Sequence, residues 1–383
     1  MNLELSDEQR MIQAMAREFA DKEVRPVAAA IDHEARFPHD TVRRMGELGL
    51  MGIAIPEAYG GSGGDTVAYV VALEEVAKAC ASHAVIMSVN NSLYCDPVHT
   101  YGTEEQKKRF LTPFASGQRL GCFSLTEPEA GSDASNQNTL AARDGEDYIL
   151  NGRKIFVTNG REAQAALVFA QTDRAKGHRG VSAFLVERGT RGFIVVKTED
   201  KLGIRASDTA ELLFENCRVP RHHRLGEEGQ GFTIALATLD AGRIGIAAQA
   251  LGIATAAYEA SVAYARERKS FDVPIGQHQM VQWMLADMAV ALEAARMLTW
   301  RAAWLKDAGR PFSAEASMAK LFAAEAAMKI TTDAIQVHGG YGFIKEYGVE
   351  RHFRDAKITQ IYEGTSQIQK LVIARHLLAA PEA

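Results

Sequence analysis

The sequence predicts an α+β multi-domain protein: an N-terminal α-helical domain over residues 1–120, a middle antiparallel β domain over 121–231 and a C-terminal four-helix bundle over 232–383. Three observations predict it. Apolar residues recur at helical spacing through the first third. From about Gly121 the pattern changes to short β-rich runs between polar turns, and beyond Gly231 helical spacing returns in long segments with short links. A chain of 383 residues also exceeds what a single small core serves, so two or three packed units are expected.

At the N-terminus Ser6 and Gln9 form a capping box, followed by Met11, Ile12, Met15, Phe19 and Val24 at helical spacing as far as Pro26. Further helices are expected over 40–48, 67–80 and 104–115. The cluster Gly60-Gly61-Ser62-Gly63-Gly64 lacks the Lys-Ser/Thr of a phosphate loop and reads as a surface turn. The charged run from Glu104 to Arg109 reads as a solvated helix face. Strands are expected over 122–125, 148–150, 154–157, 166–170, 182–186, 193–196 and 211–214, with turns at Asp144-Gly145 and Asn151-Gly152. The last four helices fall over 232–268, 277–308, 313–337 and 365–378, and their Trp283, Met284, Trp300 and Trp304 read as core.

Composition excludes several function classes. A net charge of −5 and a pI near 6.2 leave no basic field for a phosphate polyanion, so no nucleic-acid partner is expected. Cys80, Cys95, Cys122 and Cys217 are widely spaced, without a Cys/His ligand pattern, and read as reduced core residues; no metal site is expected. The opening Asn2, Glu4, Asp7 and Glu8 are unlike a signal peptide, and no window of roughly 18 uncharged apolar residues is found. A cytoplasmic protein without membrane insertion is the expectation.

Chemistry is expected at 361–369, Ile-Tyr-Glu-Gly-Thr-Ser-Gln-Ile-Gln. Glu363 stands at a junction between two helical segments, beside a glycine that leaves room for another molecule to approach. Ser366 with Gln369 fits a capping box that would open the last helix. Three other stretches share this polar, glycine-containing character: 125–133, 156–160 and 336–342. Taken singly, each is an ordinary turn.

Together they resemble the acyl-CoA dehydrogenase family, over nearly the whole chain and in the same helix, sheet, helix order. The carriers are T-E-P-E-A-G-S-D at 126–133, K-I-F-V-T-N-G at 154–160, K-L-G-I-R-A-S-D-T at 201–209, E-R-K-S-F at 267–271, Q-V-H-G-G-Y-G at 336–342, R-D-A-K-I at 354–358 and the Glu363 stretch itself. The resemblance implies FAD between the β domain and the bundle, with an acyl-CoA thioester held between flavin and Glu363. Glu363 would remove the α-proton while the β-hydrogen leaves as hydride to flavin N5, giving the trans-2-enoyl-CoA. A thioester α-proton is a poor acid, so the carbonyl oxygen needs preorganised donors, in the family the backbone N–H of this glutamate and a ribityl hydroxyl. A glutamate in water, with pKa about 4.3, is a weak base, and enclosure should strengthen it.

Cofactor and substrate contacts follow from the same resemblance, position by position. Phe123, Leu125, Thr126 and Ser132 match the flavin-side loop, Phe156, Val157 and Thr158 a second wall, and Thr365 and Gln367 positions near the middle of the dinucleotide. Arg268, Ser270, Phe271, Gln279, Gln336, Val337, Gly339 and Gly340 match the set that reaches the adenosine-diphosphate half from a neighbouring subunit, which implies a homotetramer built as a dimer of dimers. Ser132, Asp240, Arg243, Tyr362 and Gly364 match contacts to the acyl-CoA. Asp240 and Arg243 also lie three apart on one helix face, so an intrahelical ion pair stands beside the ligand reading.

Glu129 departs from the family, where glycine is common, and puts the dihedrals of its loop in question. Some branches carry the base at the position of Gly242, which here has no side chain to serve, and this favours Glu363. The runs 87–94 and 239–245 resemble the short-chain, butyryl-type branch, with an electron-transfer flavoprotein as redox partner. The alternatives are an acyl-CoA oxidase, usually longer at the C-terminus, a medium- or branched-chain dehydrogenase, and a non-catalytic binding relative on the same fold.

Overall fold

The computed structural model describes residues 4–379; Asn2 of the N-terminal reading lies outside them. Helix α1 (Asp7–Phe19) begins with the expected box, Gln9 N donating to Ser6 Oγ at 3.1 Å and Ser6 N to Gln9 Oε1 at 2.9 Å. Pro26 does not end it. A π-helical turn at Ala20–Val24 leads straight into α2 (Arg25–Glu34), where proline sits in the first turn and its missing N–H matters little. Helices α3 (His39–Glu47) and α4 (Thr66–Ala79) follow as expected.

One helical stretch escaped the sequence reading. Helix α5 (Ala81–Ser88) runs through a π-helical segment, Val89–Cys95, into α6 (Asp96–Tyr101), and every residue from 81 to 95 is buried. A helix covered on all sides has no amphipathic period to read. Helices α7 (Glu104–Phe110) and α8 (Thr112–Ala115) complete this part. The charged face of α7 is less solvated than expected: Gln106 is buried and donates to the carbonyls of His222 and Arg224 at 2.8 Å each, while Arg109 pairs with Glu187.

The strands are β1 (Gly121–Ser124), β2 (Leu140–Asp144), β3 (Asp147–Thr158), β4 (Ala165–Gln171), β5 (Val181–Glu187), β6 (Phe193–Thr198), β7 (Thr209–Pro220) and β8 (Arg224–Leu225). They order as β6-β7-β3-β2-β4-β5-β8, with β1 paired to β4. The sheet is mixed, not purely antiparallel, because β1 runs parallel to β4 and β2 meets β4 parallel at a single pair. Asp144-Gly145 turns the β2–β3 hairpin as expected. Asn151-Gly152 is not a turn: it lies inside β3, at a bulge opposite β7, so two expected strands are one. A second bulge falls between Lys154 and Val157 and throws Phe156 into the left-handed region at φ +56°.

The last helices are α9 (Gly231–Glu267), α10 (Gln279–Asp307), α11 (Ser313–His338), α12 (Val349–Thr359) and α13 (Ser366–Leu378). By length and composition α9 is apolar enough to cross a membrane, but 78% of its most apolar window is buried inside the protein. It is the central core helix, packed by α4, α10, α11 and α12. Trp283 departs from its expected core position and is 64% exposed on α10, near Met280 and Val290, also exposed. All four cysteines are free and buried.

Arg354 of α12 ties the three parts of the chain together. Its guanidinium bonds Asp32 Oδ2 of α2 at 2.7 Å, Glu350 Oε2 at 2.6 Å and the Leu202 carbonyl after β6 at 3.1 Å. Next to it Asp355 accepts from Ile204 N at 2.5 Å. Removing one partner of such a shielded ion network leaves the other charges uncompensated. Arg354→Met is therefore expected to lower stability by about 3 kcal/mol, measured as the shift of the denaturant midpoint; an unchanged midpoint would refute the clamp.

Candidate active site

The Glu363 loop is held by its neighbours. After α12, Ile361 N and Tyr362 N both donate to the Ile358 carbonyl, and the chain then takes left-handed dihedrals at Glu363 (φ +51°) and Gly364 (φ +90°). For a non-glycine residue that conformation costs of order 1 kcal/mol and needs outside support. Lys320 Nζ of α11 donates to the Gly364 carbonyl at 2.7 Å, and Gln369 Nε2 donates to the same oxygen at 2.8 Å and to the Glu363 carbonyl at 3.2 Å. At φ +90° Gly364 holds a conformation that favours glycine, and a β-carbon there would stand 2.7 Å from that Gln369 nitrogen. The expected Ser366–Gln369 capping box is absent. Thr365 caps α13 by accepting from Ile368 N, Ser366 Oγ donates to Glu325 at 2.7 Å, and Gln369 is taken up by the loop carbonyls.

The carboxylate of Glu363 points at α9. A β-carbon on Gly242 would lie 2.2 Å from Glu363 Oε2, with Leu93 of the π-helical segment 2.7 Å away. Oε2 is buried and has no hydrogen-bond partner among the described residues, and no protein acceptor there takes the Glu363 N–H. Burial pushes the Glu363 carboxyl up to about 7, although Lys320 and Arg243 pull the other way. Burial likewise pulls Lys320 down to about 8, against the attraction of Glu363. Asp240 and Arg243 do form the intrahelical ion pair, Arg243 also reaches Ser317 Oγ at 3.3 Å, and its buried Nε has no partner. Tyr362 donates its hydroxyl to Gln249 Oε1 on α9, and burial raises its pKa well above the ordinary value.

On the β side two of the sequence motifs form one wall. Lys154 is fully buried, its ammonium donating to the Leu125 carbonyl at 2.9 Å, Glu127 Oε1 at 2.8 Å and Gln137 Oε1 at 3.0 Å. Glu127 in turn accepts from the amides of Asn138 and Thr139, and Ile155 N donates to the Thr126 carbonyl at 2.9 Å. Burial lowers Lys154 to about 8 with Glu127 opposing; for Glu127 burial raises the pKa, and Lys154 with the amides outweighs it. Phe123 and Tyr362 pack on the same core, which also holds Leu93. Phe156 is 62% exposed, whereas the Val157 side chain is buried in the sheet and leaves only its backbone for a ligand. Thr158 is half-buried and Leu125 buried. Ser132 and Glu129 are exposed, and Glu129 is not in the left-handed region, so its loop accepts a side chain.

A third group stands apart. Arg268, Ser270, Val337, Gly339 and Gly340 line a cleft of about 410 Å³, Arg268 lying over the Tyr341 ring at 5.4 Å. Phe271 (89% exposed), Gln279 and Gln336 are exposed and do not line it, and Gln367 is exposed on α13. Arg268 of this cleft lies ~37 Å along α9, at about 1.5 Å per residue, from Arg243, which faces Glu363.

Sequence reasoning missed Lys320 and Gln249 as parts of the site and the pairing of Lys154 with Glu127, and it gave Gln369 a capping role in place of its bonds to the loop carbonyls. Lys320 left one legible trace, a charge set at helical spacing among Ala316, Ala319, Ala323 and Ala324.

Comparison with known proteins accounts for almost the whole described chain. Residues 6–118, 122–217 and 229–378 match the N-terminal, middle and C-terminal domains of acyl-CoA dehydrogenase. The mitochondrial short-chain specific acyl-CoA dehydrogenase of Bos taurus is 54% identical over 377 residues, 98% of this chain and 92% of that one. The structure of butyryl-CoA dehydrogenase from Megasphaera elsdenii superposes with a TM-score of 0.98 at 46% identity, covering 99% of this chain and 100% of that one. A structure described as the electron transferring flavoprotein of Acidaminococcus fermentans contains a chain matching with a TM-score of 0.98 at 50% identity, again over 99% and 100%. With all three domains matched and such identity over nearly its full length, the chain belongs to the acyl-CoA dehydrogenase family.

Proposed function

We propose that this enzyme dehydrogenates short straight-chain acyl-CoA thioesters to trans-2-enoyl-CoA, with Glu363 as the base, and passes the electrons to an electron-transfer flavoprotein. The observation that carries the reading is the Glu363 carboxylate: buried, unbonded at Oε2, and beside two cations. Desolvation makes it a stronger base than a glutamate in water, and an oxygen without a partner is free to take a proton. The unengaged N–H of the same residue supplies a donor for the thioester oxygen.

The chain's residues fit FAD, the cofactor of this family. The exposed Phe156 beside the Thr126–Ile155 hydrogen bond offers an aromatic face and backbone groups for the flavin ring, and Lys154 holds that wall from behind. FAD, when bound, supplies at flavin N5 the acceptor for the β-hydride. Arg268 suits a pyrophosphate, and at Gly339 and Gly340 a β-carbon would meet nothing within 4 Å, so these glycines leave an open approach for a molecule outside the chain. Separation of this cleft from Glu363 supports a homotetramer in which each subunit completes a neighbour's cofactor site. The exposed Phe271, next to Ser270 of the cleft, and the exposed Met280, Trp283 and Val290 on α10 are the kind of apolar surface another copy would cover.

A short acyl chain is favoured by how the interior closes beyond Glu363. At Gly245 a β-carbon would meet Tyr69 Oη at 2.5 Å and Ser88 Oγ at 2.6 Å, and these two hydroxyls are hydrogen-bonded at 2.9 Å. The name of the Bos taurus relative, short-chain specific, points the same way.

Anaerobic addition of butyryl-CoA is expected to bleach the visible flavin band as crotonyl-CoA appears, with longer acyl-CoAs slower; a flavin band that no acyl-CoA moves would overturn the reading. Glu363→Gln should keep fold and flavin yet lose at least roughly 10³-fold in turnover, and near-normal turnover would place the base elsewhere. Because only the ionised carboxylate accepts the proton, the reduction rate of the native enzyme should rise with pH through about 7, as followed by stopped-flow absorbance.

A further inference from the structure

Lys320 belongs to no motif in the sequence, and it is fully buried on α11. A buried lysine is rare because its ammonium gives up hydration. Its hydrogen bond to the Gly364 carbonyl does not by itself account for it, since Gln369 already donates to that oxygen. What Lys320 adds is charge. No carboxylate lies within ion-pair distance of its nitrogen among the described residues, and the carboxylates in its field are Glu363 and Glu325, the latter engaged by Ser366.

The other groups facing Glu363 leave this cation uncompensated. From α9 comes Arg243, whose charge is met by Asp240, itself faced by His376 of α13. Tyr69 of α4 and the adjacent Tyr362 are kept neutral by burial, and Asp355 of α12 faces Tyr362. We propose that Lys320 is a positioning residue for the base: anchored on the Gly364 carbonyl, it fixes the Glu363–Gly364 turn and supplies a positive field that eases the ionisation of Glu363 without bonding its free oxygen. An ion pair made directly to Oε2 would occupy the atom that must take the proton; a cation held one residue along the chain stabilises the charge and leaves the atom open. This rests on the reading of Glu363 as the base.

The test is the pH dependence of flavin reduction by butyryl-CoA in the native enzyme, Lys320→Met and Lys320→Gln. Removing the cation makes the carboxylate harder to ionise, so both variants should titrate at least about one pH unit higher, be roughly tenfold slower than the native enzyme below neutrality and approach it above pH 9. Lys320→Gln keeps an N–H for the carbonyl and isolates the charge. Variants that hold flavin but lose rate equally at all pH values, or keep the native profile, would overturn the proposal. So would loss of fold or flavin in both, which would make Lys320 a structural residue. Failure of the native enzyme itself to reduce its flavin at any pH is a different result, and overturns the reading of the reaction instead.

Discussion

Burying the Glu363 carboxylate without a hydrogen-bond partner raises the free energy of its ionised form, and much of the surrounding architecture limits that cost while leaving the oxygen bare. Two cations come from different helices, Arg243 on α9 and Lys320 on α11, and neither bonds Oε2. The left-handed turn that aims the carboxylate is locked through its carbonyls, by Lys320 and Gln369, rather than through its side chain. Fixing the backbone is what permits the side chain to remain unfixed at its tip.

The same economy of contact recurs on the β side. Lys154 reaches from β3 to the Leu125 carbonyl and to Glu127 and Gln137, so a single ammonium fixes a loop that has no regular structure of its own. The bulge two residues later turns Phe156 outward while Val157 stays in the sheet core. Behind both walls Arg354 fastens α12, and with it the start of the Glu363 loop, to α2 and to the segment after β6. Three stretches remote in sequence are thereby held in register around one carboxylate.

Much of this was legible in the sequence where local chemistry dictates it. The Ser6–Gln9 box, the Asp144-Gly145 hairpin and the long bundle helices appear where spacing and turn residues put them. Other features were hidden for physical reasons. Residues 81–95 are covered on every side and carry no periodicity, Asn151-Gly152 has the composition of a turn but makes a bulge, and Pro26 is tolerated because a π-helical turn gives it a fresh first turn to occupy. Within the site, Glu363 stood out beside its glycine. Lys320 and Gln249 did not, because their partners are distant in sequence and meet them only once α9 and α11 pack against the loop.

The contact between Gly242 and Glu363 bears on which residues such a site admits. A β-carbon grown from Gly242 would arrive within 2.2 Å of the oxygen that Glu363 already presents. Glycine at 242 therefore leaves the space that the loop's carboxylate fills, and a side chain grown from the helix there would have to displace it. The loop and the helix exclude one another at this point, so a residue with no side chain on α9 is as much a condition of the arrangement as the acid on the loop.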